Sequence, residues 1–335
     1  MLLEYPKVVF SIATLIALVV ANRLYFKIAL HAGIVDIPNQ RSSHLSPTIR
    51  GGGIVFVVAF LFWSFLNIQL YPWFIAAVLL IAIVSFIDDV RSLPASVRFF
   101  VHLVSMILVG IQVELFNQPL WILFPVIIVG IGAINSFNFM DGINGITGMY
   151  GLVNLLTFFF INHEIIHFMD DSLTLYVLMS ILVFLFYNFR KQALCFAGDV
   201  GSVTLAFIQV FLLVKLIFVT YQFAWIFMFL VFGVDSVVTI LYRLKKGENI
   251  FKPHRSHLYQ YLSNEMGQSH LIISSVYGLL QLAINAMLII LLPNASVGFV
   301  VLMAAFIFVL YVVAREQALS RLGMKGFLGD LKLSL

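Results

Sequence analysis

Apolar stretches with few or no charges recur along this 335-residue chain at close to the spacing of a bilayer crossing, and they constrain its fold more than any motif does. The hydrocarbon core of a bilayer is about 30 Å thick, so a helix needs roughly 20 apolar residues to cross it. Eleven segments reach or approach that length: 6–24, 53–71, 73–88, 99–116, 119–137, 145–161, 172–189, 200–219, 222–242, 271–292 and 296–314. No soluble core could absorb them. The chain is 62% hydrophobic and only 10% charged, with a mean hydropathy of +1.07, where a soluble domain carries roughly 25% charged residues. The expected fold is all-α: a polytopic integral membrane protein of about 11 transmembrane helices, forming a single domain over residues 1–335.

The connections between these spans alternate in charge. Those near 68–72, 115–119, 162–171, 220–222 and 292–295 hold no Lys or Arg. The alternate connections and the tail hold 17 of the 19 basic residues, with Lys7 and Lys215 as the exceptions. Lys215 can snorkel from its helix. Basic loops stay in the cytoplasm, which sets the amino end outside and the carboxyl end inside. The net charge of +4 therefore reports topology and contact with anionic lipid, not nucleic-acid binding. The single cysteine, Cys195, excludes an intrachain disulfide and a Cys-based metal site. The first span is expected to be retained, since Glu4 precedes Lys7 and no small-x-small cleavage site follows.

Five segments on the basic side, about 25–52, 88–98, 138–145, 190–200 and 243–270, hold nearly all the residues capable of chemistry. In the first, Gly51–Gly53 open a span beside Arg50. Such a start can present free backbone N–H groups to an anion, or serve only close helix packing. In the second, Asp88 and Asp89 end an apolar run where the negative pole of a helix disfavours acids. Adjacent carboxylates repel, so one keeps its proton or both share a cation. Because neighbours on a helix point about 100° apart, the two can serve one partner only if the helix has ended. In the third, Asn138, Asp141 and Asn144 recur every three residues, which would stack them on one helical face. They would form either a polar seam between helices or part of a site. In the fourth, Asp199 stands at a helix start, as a cap or as a ligand. The fifth carries His254, Arg255 and His257. Asp235, inside the ninth span, could pair with a neighbouring helix or belong to the site.

Carboxylates beside Arg and His groups suit a divalent cation and phosphate oxygens, with Mg²⁺ or Mn²⁺ favoured over zinc. Acids, a metal and arginines together suit transfer between two phosphate-bearing partners. A second class, a transporter or flippase for an anionic sugar or lipid, would want ionisable residues along a path through the bilayer. Here they crowd one face, and only Asp235 lies mid-span.

The motifs resemble a family. Pro38-Asn39-Gln40-Arg41-Ser42-Ser43-His44, Pro47-Thr48-Ile49-Arg50-Gly51-Gly52, Asp88-Asp89, Asn138 through Gly145, Gly198-Asp199-Val200-Gly201-Ser202 and Pro253 through Gln260 stand in the order found in the polyprenyl-phosphate N-acetylhexosamine-1-phosphate transferases of glycosyltransferase family 4. The Pro-His-Arg-Ser-His-Leu-Tyr form resembles the O-antigen-initiating branch. The resemblance implies a bacterial cytoplasmic (inner) membrane enzyme whose active site faces the cytoplasm. Its donor would be a UDP-N-acetylhexosamine and its acceptor undecaprenyl phosphate, with Mg²⁺ (or Mn²⁺) as cofactor and UMP released. By position, Asp199 and Asp88 would hold the metal, and Asp88, Asp89, Asp141 and Asp199 would form the catalytic set. His44, Arg50, Arg98, Asn138, Asn144, Phe196, His254, Arg255 and His257 would bind substrates, with Phe196 stacking on uracil. Asn144 departs from an aspartate common in the family, so only hydrogen bonding carries over there. Which amino sugar is used, which polymer is built, whether the protein is a homodimer and whether a covalent intermediate forms are all left open.

Overall fold

The structure is a computed structural model, which describes residues 5–38, 47–250, 252, 254–292, 297–324 and 326. It is a helical bundle whose only sheet among the described residues is a two-residue antiparallel pair, β1 (Val35–Asp36) with β2 (Thr48–Ile49). The helices are α1 (Tyr5–Ala32), α2 (Ile54–Asn67), α3 (Pro72–Val90), α4 (Ala95–Gln112), α5 (Leu120–Met140), α6 (Ile146–Phe160) and α7 (Asp171–Asn188). They continue with α8 (Gly198–Thr220), α9 (Leu230–Lys245), a short α10 (Leu258–Gln260), α11 (His270–Leu291) and α12 (Val297–Arg321). Every expected span is a helix. Among the described residues nine are long and apolar enough to cross a membrane, counting α9 with the 3₁₀ turn that precedes it. Two are shorter than the even spacing suggested: α2 has 14 residues, and α6 has 15 before a π-turn over Ile161–Ile165. At the other extreme α1 runs to Ala32, eight residues past its expected end, so Arg23 and Lys27 lie on a helix.

α8 is the axis of the bundle. Its sequence is apolar on every side, which marks a helix surrounded by protein, and 72% of its most apolar window is buried. It packs against α2, α3, α5 and α6. By contrast only 17% of the corresponding window of α12 is buried, and its exposed Leu302, Phe306 and Leu310 suit lipid contact. Pro72 starts α3 at a position where a missing N–H costs nothing.

Backbone groups freed inside a membrane must find partners within the protein. The ninth span meets this demand where its 3₁₀ turn, Phe223–Phe229, passes into α9. Gln281 of α11 donates from Nε2 to the Phe227 carbonyl at 3.0 Å, and its Oε1 accepts from the Val231 N–H at 3.1 Å. Tyr150 of α6 holds the same Oε1 at 2.7 Å.

At the basic end of the bundle, α2 and α8 meet through glycines. The N–H groups of Gly52 and Gly53 donate to the Phe196 and Ala197 carbonyls at 2.7 and 3.0 Å, and Phe196 N–H donates to Ile49 O at 2.8 Å. These amides are thus committed to the protein, which, of the two alternatives, favours close helix packing over an anion cradle at Gly52 and Gly53. The glycines are there for contact: a Cβ on Gly53 would run into the Gly201 Cα, and one on Gly201 would come within 2.7 Å of the Gly53 Cα. Gly53→Ala is expected to cost about 2 kcal/mol by overpacking, lowering the thermal midpoint in detergent. An unchanged midpoint would show that α2 and α8 can separate freely.

Candidate active site

Four helix ends converge beside these glycines: the carboxyl ends of α3 and α5 and the amino ends of α6 and α8. α3 has not ended at the acid pair, so Asp88 and Asp89 diverge as helical neighbours do. Asp89 turns inward with a fully buried side chain. Its Oδ1 accepts from Arg50 Nε and from the Asp199 N–H, each at 2.8 Å, and its Oδ2 accepts from the Val200 N–H at 2.9 Å. It caps α8 from another helix, filling the anion-binding position of that N-terminus. Gly198, at φ +71°, brings the chain so close that a Cβ there would lie 2.5 Å from Asp89 Oδ2. Burial works against the Arg50 charge, but the Asp89, Asp199 and Asp36 carboxylates together more than offset it and raise its pKa.

Asp88 turns to the other side. It accepts from the Leu93 N–H, and its Oδ2 lies 3.1 Å from Arg98 Nη1. The same Nη1 is 3.7 Å from Asp199 Oδ2. Asn138, in the last turn of α5, donates from Nδ2 to Asp199 Oδ1 at 2.9 Å and to Ser202 Oγ at 3.3 Å. Asp199 is therefore not the cap of its own helix, because Asp89 fills that role. Its carboxylate is held by side chains from two other spans and is partly exposed.

Among the described residues no group of three or more His, Cys, Asp or Glu side chains could hold a metal. The smaller set of Asp88 and Asp199 still fits Mg²⁺. Two carboxyl groups from two helices converge on one guanidinium, and both are hard oxygen donors. Mg²⁺ is commonly held by one or two carboxylates while substrate phosphates and water complete its shell.

The 138–145 segment departs from the expected single helical face. α5 ends at Met140, and Gly145 at φ +87° opens α6, so its three polar residues point to three different partners. Asn138 meets Asp199. Asp141 accepts from Thr147 Oγ1 at 2.7 Å, and burial pushes its carboxyl up to about 7 even though that bond lowers it. Asn144 is buried and donates from Nδ2 to the Arg190 and Lys191 carbonyls at 2.8 and 3.2 Å, tying down the loop before Phe196. The donor side of that amide is thus taken up by the protein. Asn188 makes the matching staple, accepting from Gly145 N–H and donating to Cys195 O at 2.7 and 2.8 Å. Nothing in the sequence singled it out.

The 254–259 loop is fastened to the same turn. Tyr259 donates from its hydroxyl to the Phe139 carbonyl at 2.9 Å, and His257 stacks between His254 and Tyr259 with ring centroids 5.1 and 5.7 Å away. Burial and the nearby His257 push the His254 imidazole down to about 4. Arg243 is not a mere topology signal: it is buried, pairs with Glu248 at 3.0 Å and donates to the Asn249 and Ile250 carbonyls. The structure thus unites Asp88, Asp89, Asp199, Arg50, Arg98 and Asn138, with Asp141, Phe196, Arg255 and His257 on adjoining segments. His44 lies outside the described residues.

A polytopic helical membrane protein with a carboxylate and arginine cluster where its helix ends meet is the class that fold and site define. The model of the family described as glycosyl transferase family 4 matches residues 71–217, the stretch that carries Asp88, Asp89, Asn138, Asp141 and Asp199. A protein of Bacillus subtilis (strain 168) named "Probable undecaprenyl-phosphate N-acetylglucosaminyl 1-phosphate transferase" is 27% identical over 283 residues, covering 78% of this chain and 78% of its own. Over residues 71–217 the chain is thus similar to glycosyl transferase family 4.

Proposed function

We propose that the protein transfers an N-acetylhexosamine 1-phosphate from a UDP-sugar to undecaprenyl phosphate at the cytoplasmic face of a bacterial inner membrane, starting a lipid-linked envelope glycan of the O-antigen type. The observation that carries this reading is the Asp88–Arg98–Asp199–Asn138 cluster at a membrane helix end, where a lipid phosphate and a soluble nucleotide can meet. The name of the Bacillus subtilis relative supports the acceptor and the type of transfer.

An oxygen of the lipid phosphate forms a bond to the β-phosphorus of the donor. The bond from that phosphorus to the bridging oxygen breaks, and UMP leaves with the bridging oxygen. Asp88 and Asp199 would hold Mg²⁺, which when bound supplies positive charge to the diphosphate oxygens. Arg98 adds a fixed positive charge between the two carboxylates and orients them. Asn138 holds Asp199 in place. Asp89, engaged by three donors, is not available to attack phosphorus, so the reading takes direct attack by the lipid phosphate. Phe196 offers a ring to the uracil, and Arg255 a charge-assisted bond to the diphosphate.

Purified protein in detergent, given undecaprenyl phosphate, Mg²⁺ and a panel of UDP-N-acetylhexosamines, is expected to release UMP with at least one of them. No release with any donor would overturn the reading. Arg255→Ala is expected to raise KM for the sugar nucleotide about tenfold or more, as losing a hydrogen bond to a charged group does, with thermal stability kept. A folded variant with the wild-type KM would remove Arg255 from the donor site.

A further inference from the structure

Asp235 is fully buried within the ninth span, a costly place for a carboxylate. It is surrounded by partners. Its Oδ1 lies 2.8 Å from His257 Nδ1 and accepts from Thr239 Oγ1 at 3.3 Å, while Tyr277 of α11 donates to Oδ2 at 2.7 Å. Arg315 of α12 reaches the cluster through Thr239 at 3.0 Å. If packing were the sole purpose, apolar side chains of similar size would serve at least as well.

The geometry commits the carboxylate to one imidazole. His257 Nδ1 faces an oxygen that can only accept, so Nδ1 carries the proton and Nε2 is the nitrogen left over. Nε2 is buried and has no partner among the described residues. Buried ring nitrogens are normally satisfied, so one that is not calls for an explanation. The ring cannot turn to find a partner, because it lies between His254 and Tyr259 and is held at Nδ1. Tyr259 in turn ties the loop to the residues just before Asp141. An orienting carboxylate behind an imidazole is a recurrent way of fixing which ring nitrogen meets a ligand.

We infer that Asp235 is a positioning residue that acts through His257, holding Nδ1 so that Nε2 makes a hydrogen bond to the bound sugar nucleotide. The inference rests on the transferase reading above. It is tested with wild type, Asp235→Asn, His257→Ala, the double variant and Tyr277→Phe, all in detergent with undecaprenyl phosphate, Mg²⁺ and the UDP-N-acetylhexosamine that wild type prefers. Asp235→Asn is expected to lower kcat/KM for the donor by ~10–100-fold, as loss of an orienting partner does, and to leave KM for the lipid unchanged. The double variant should be no worse than His257→Ala alone, since the two act as one unit. Tyr277→Phe should raise the donor KM a few-fold, roughly the effect of one lost hydrogen bond. If Asp235→Asn does not fold, Tyr277→Phe decides by itself. Wild-type donor kinetics in Asp235→Asn or Tyr277→Phe, or multiplied losses in the double variant, would overturn the inference while leaving the transferase reading intact. An inactive wild type would instead remove that reading, and the inference with it.

Discussion

Asp199→Asn is expected to reduce UMP release by about 10³-fold while leaving the protein folded, the scale of effect seen when one preorganised group facing developing charge is lost. The change keeps the shape of the side chain and still lets Oδ1 accept from Asn138. The main-chain N–H of residue 199, which Asp89 uses, is untouched. What disappears is one of the two carboxyl groups facing Arg98, and with it one of the hard ligands a divalent cation would need. Asp88→Asn should behave in the same way, because its bond from Leu93 N–H needs only an oxygen. Turnover and thermal midpoint measured on the same preparations separate chemistry from folding. A folded Asp199→Asn enzyme with near wild-type turnover would mean the reaction runs elsewhere.

The bundle was legible because membrane helices announce themselves by length and composition, and because α8, buried on all sides, reads as apolar throughout. The acid pair was legible as a site, since two adjacent carboxylates at a helix end need compensation. How the two divide the work was not. That depends on the α3 helix continuing through Asp89, which points it at α8 and leaves Asp88 facing Arg98. The 138–144 spacing misled for a related reason: periodicity does not reveal that α5 stops at Met140, and past that point a three-residue repeat places nothing on a common face. Gly51–Gly53 were recognised as special, but whether their amides meet a ligand or a neighbouring loop is a tertiary fact, decided by the carbonyls of Phe196 and Ala197. The role of Asp235 stayed open because its partners come from the 254–257 loop and from α11, 22 and 42 residues away.

The acid beside Asp88 should fail in a different way. Asp89→Ala removes the acceptor for Arg50 Nε and for two main-chain N–H groups at the start of α8, and all three donors lose their partner at once. Leaving two amide donors at the buried start of α8 unsatisfied costs about 2–6 kcal/mol, roughly 1–3 kcal/mol for each. Arg50→Ala should cost less: the guanidinium side chain is 35% exposed, and Asp89 would keep both amide donors. The expected order of thermal midpoints is therefore wild type, then Arg50→Ala, then Asp89→Ala, with Asp88→Asn close to wild type. Turnover per folded molecule should fall far less in Asp89→Ala than in Asp88→Asn if Asp89 acts by fixing the end of α8. The opposite pattern, a stable Asp89→Ala protein with no turnover, would make Asp89 a reacting group and would return the covalent route to consideration.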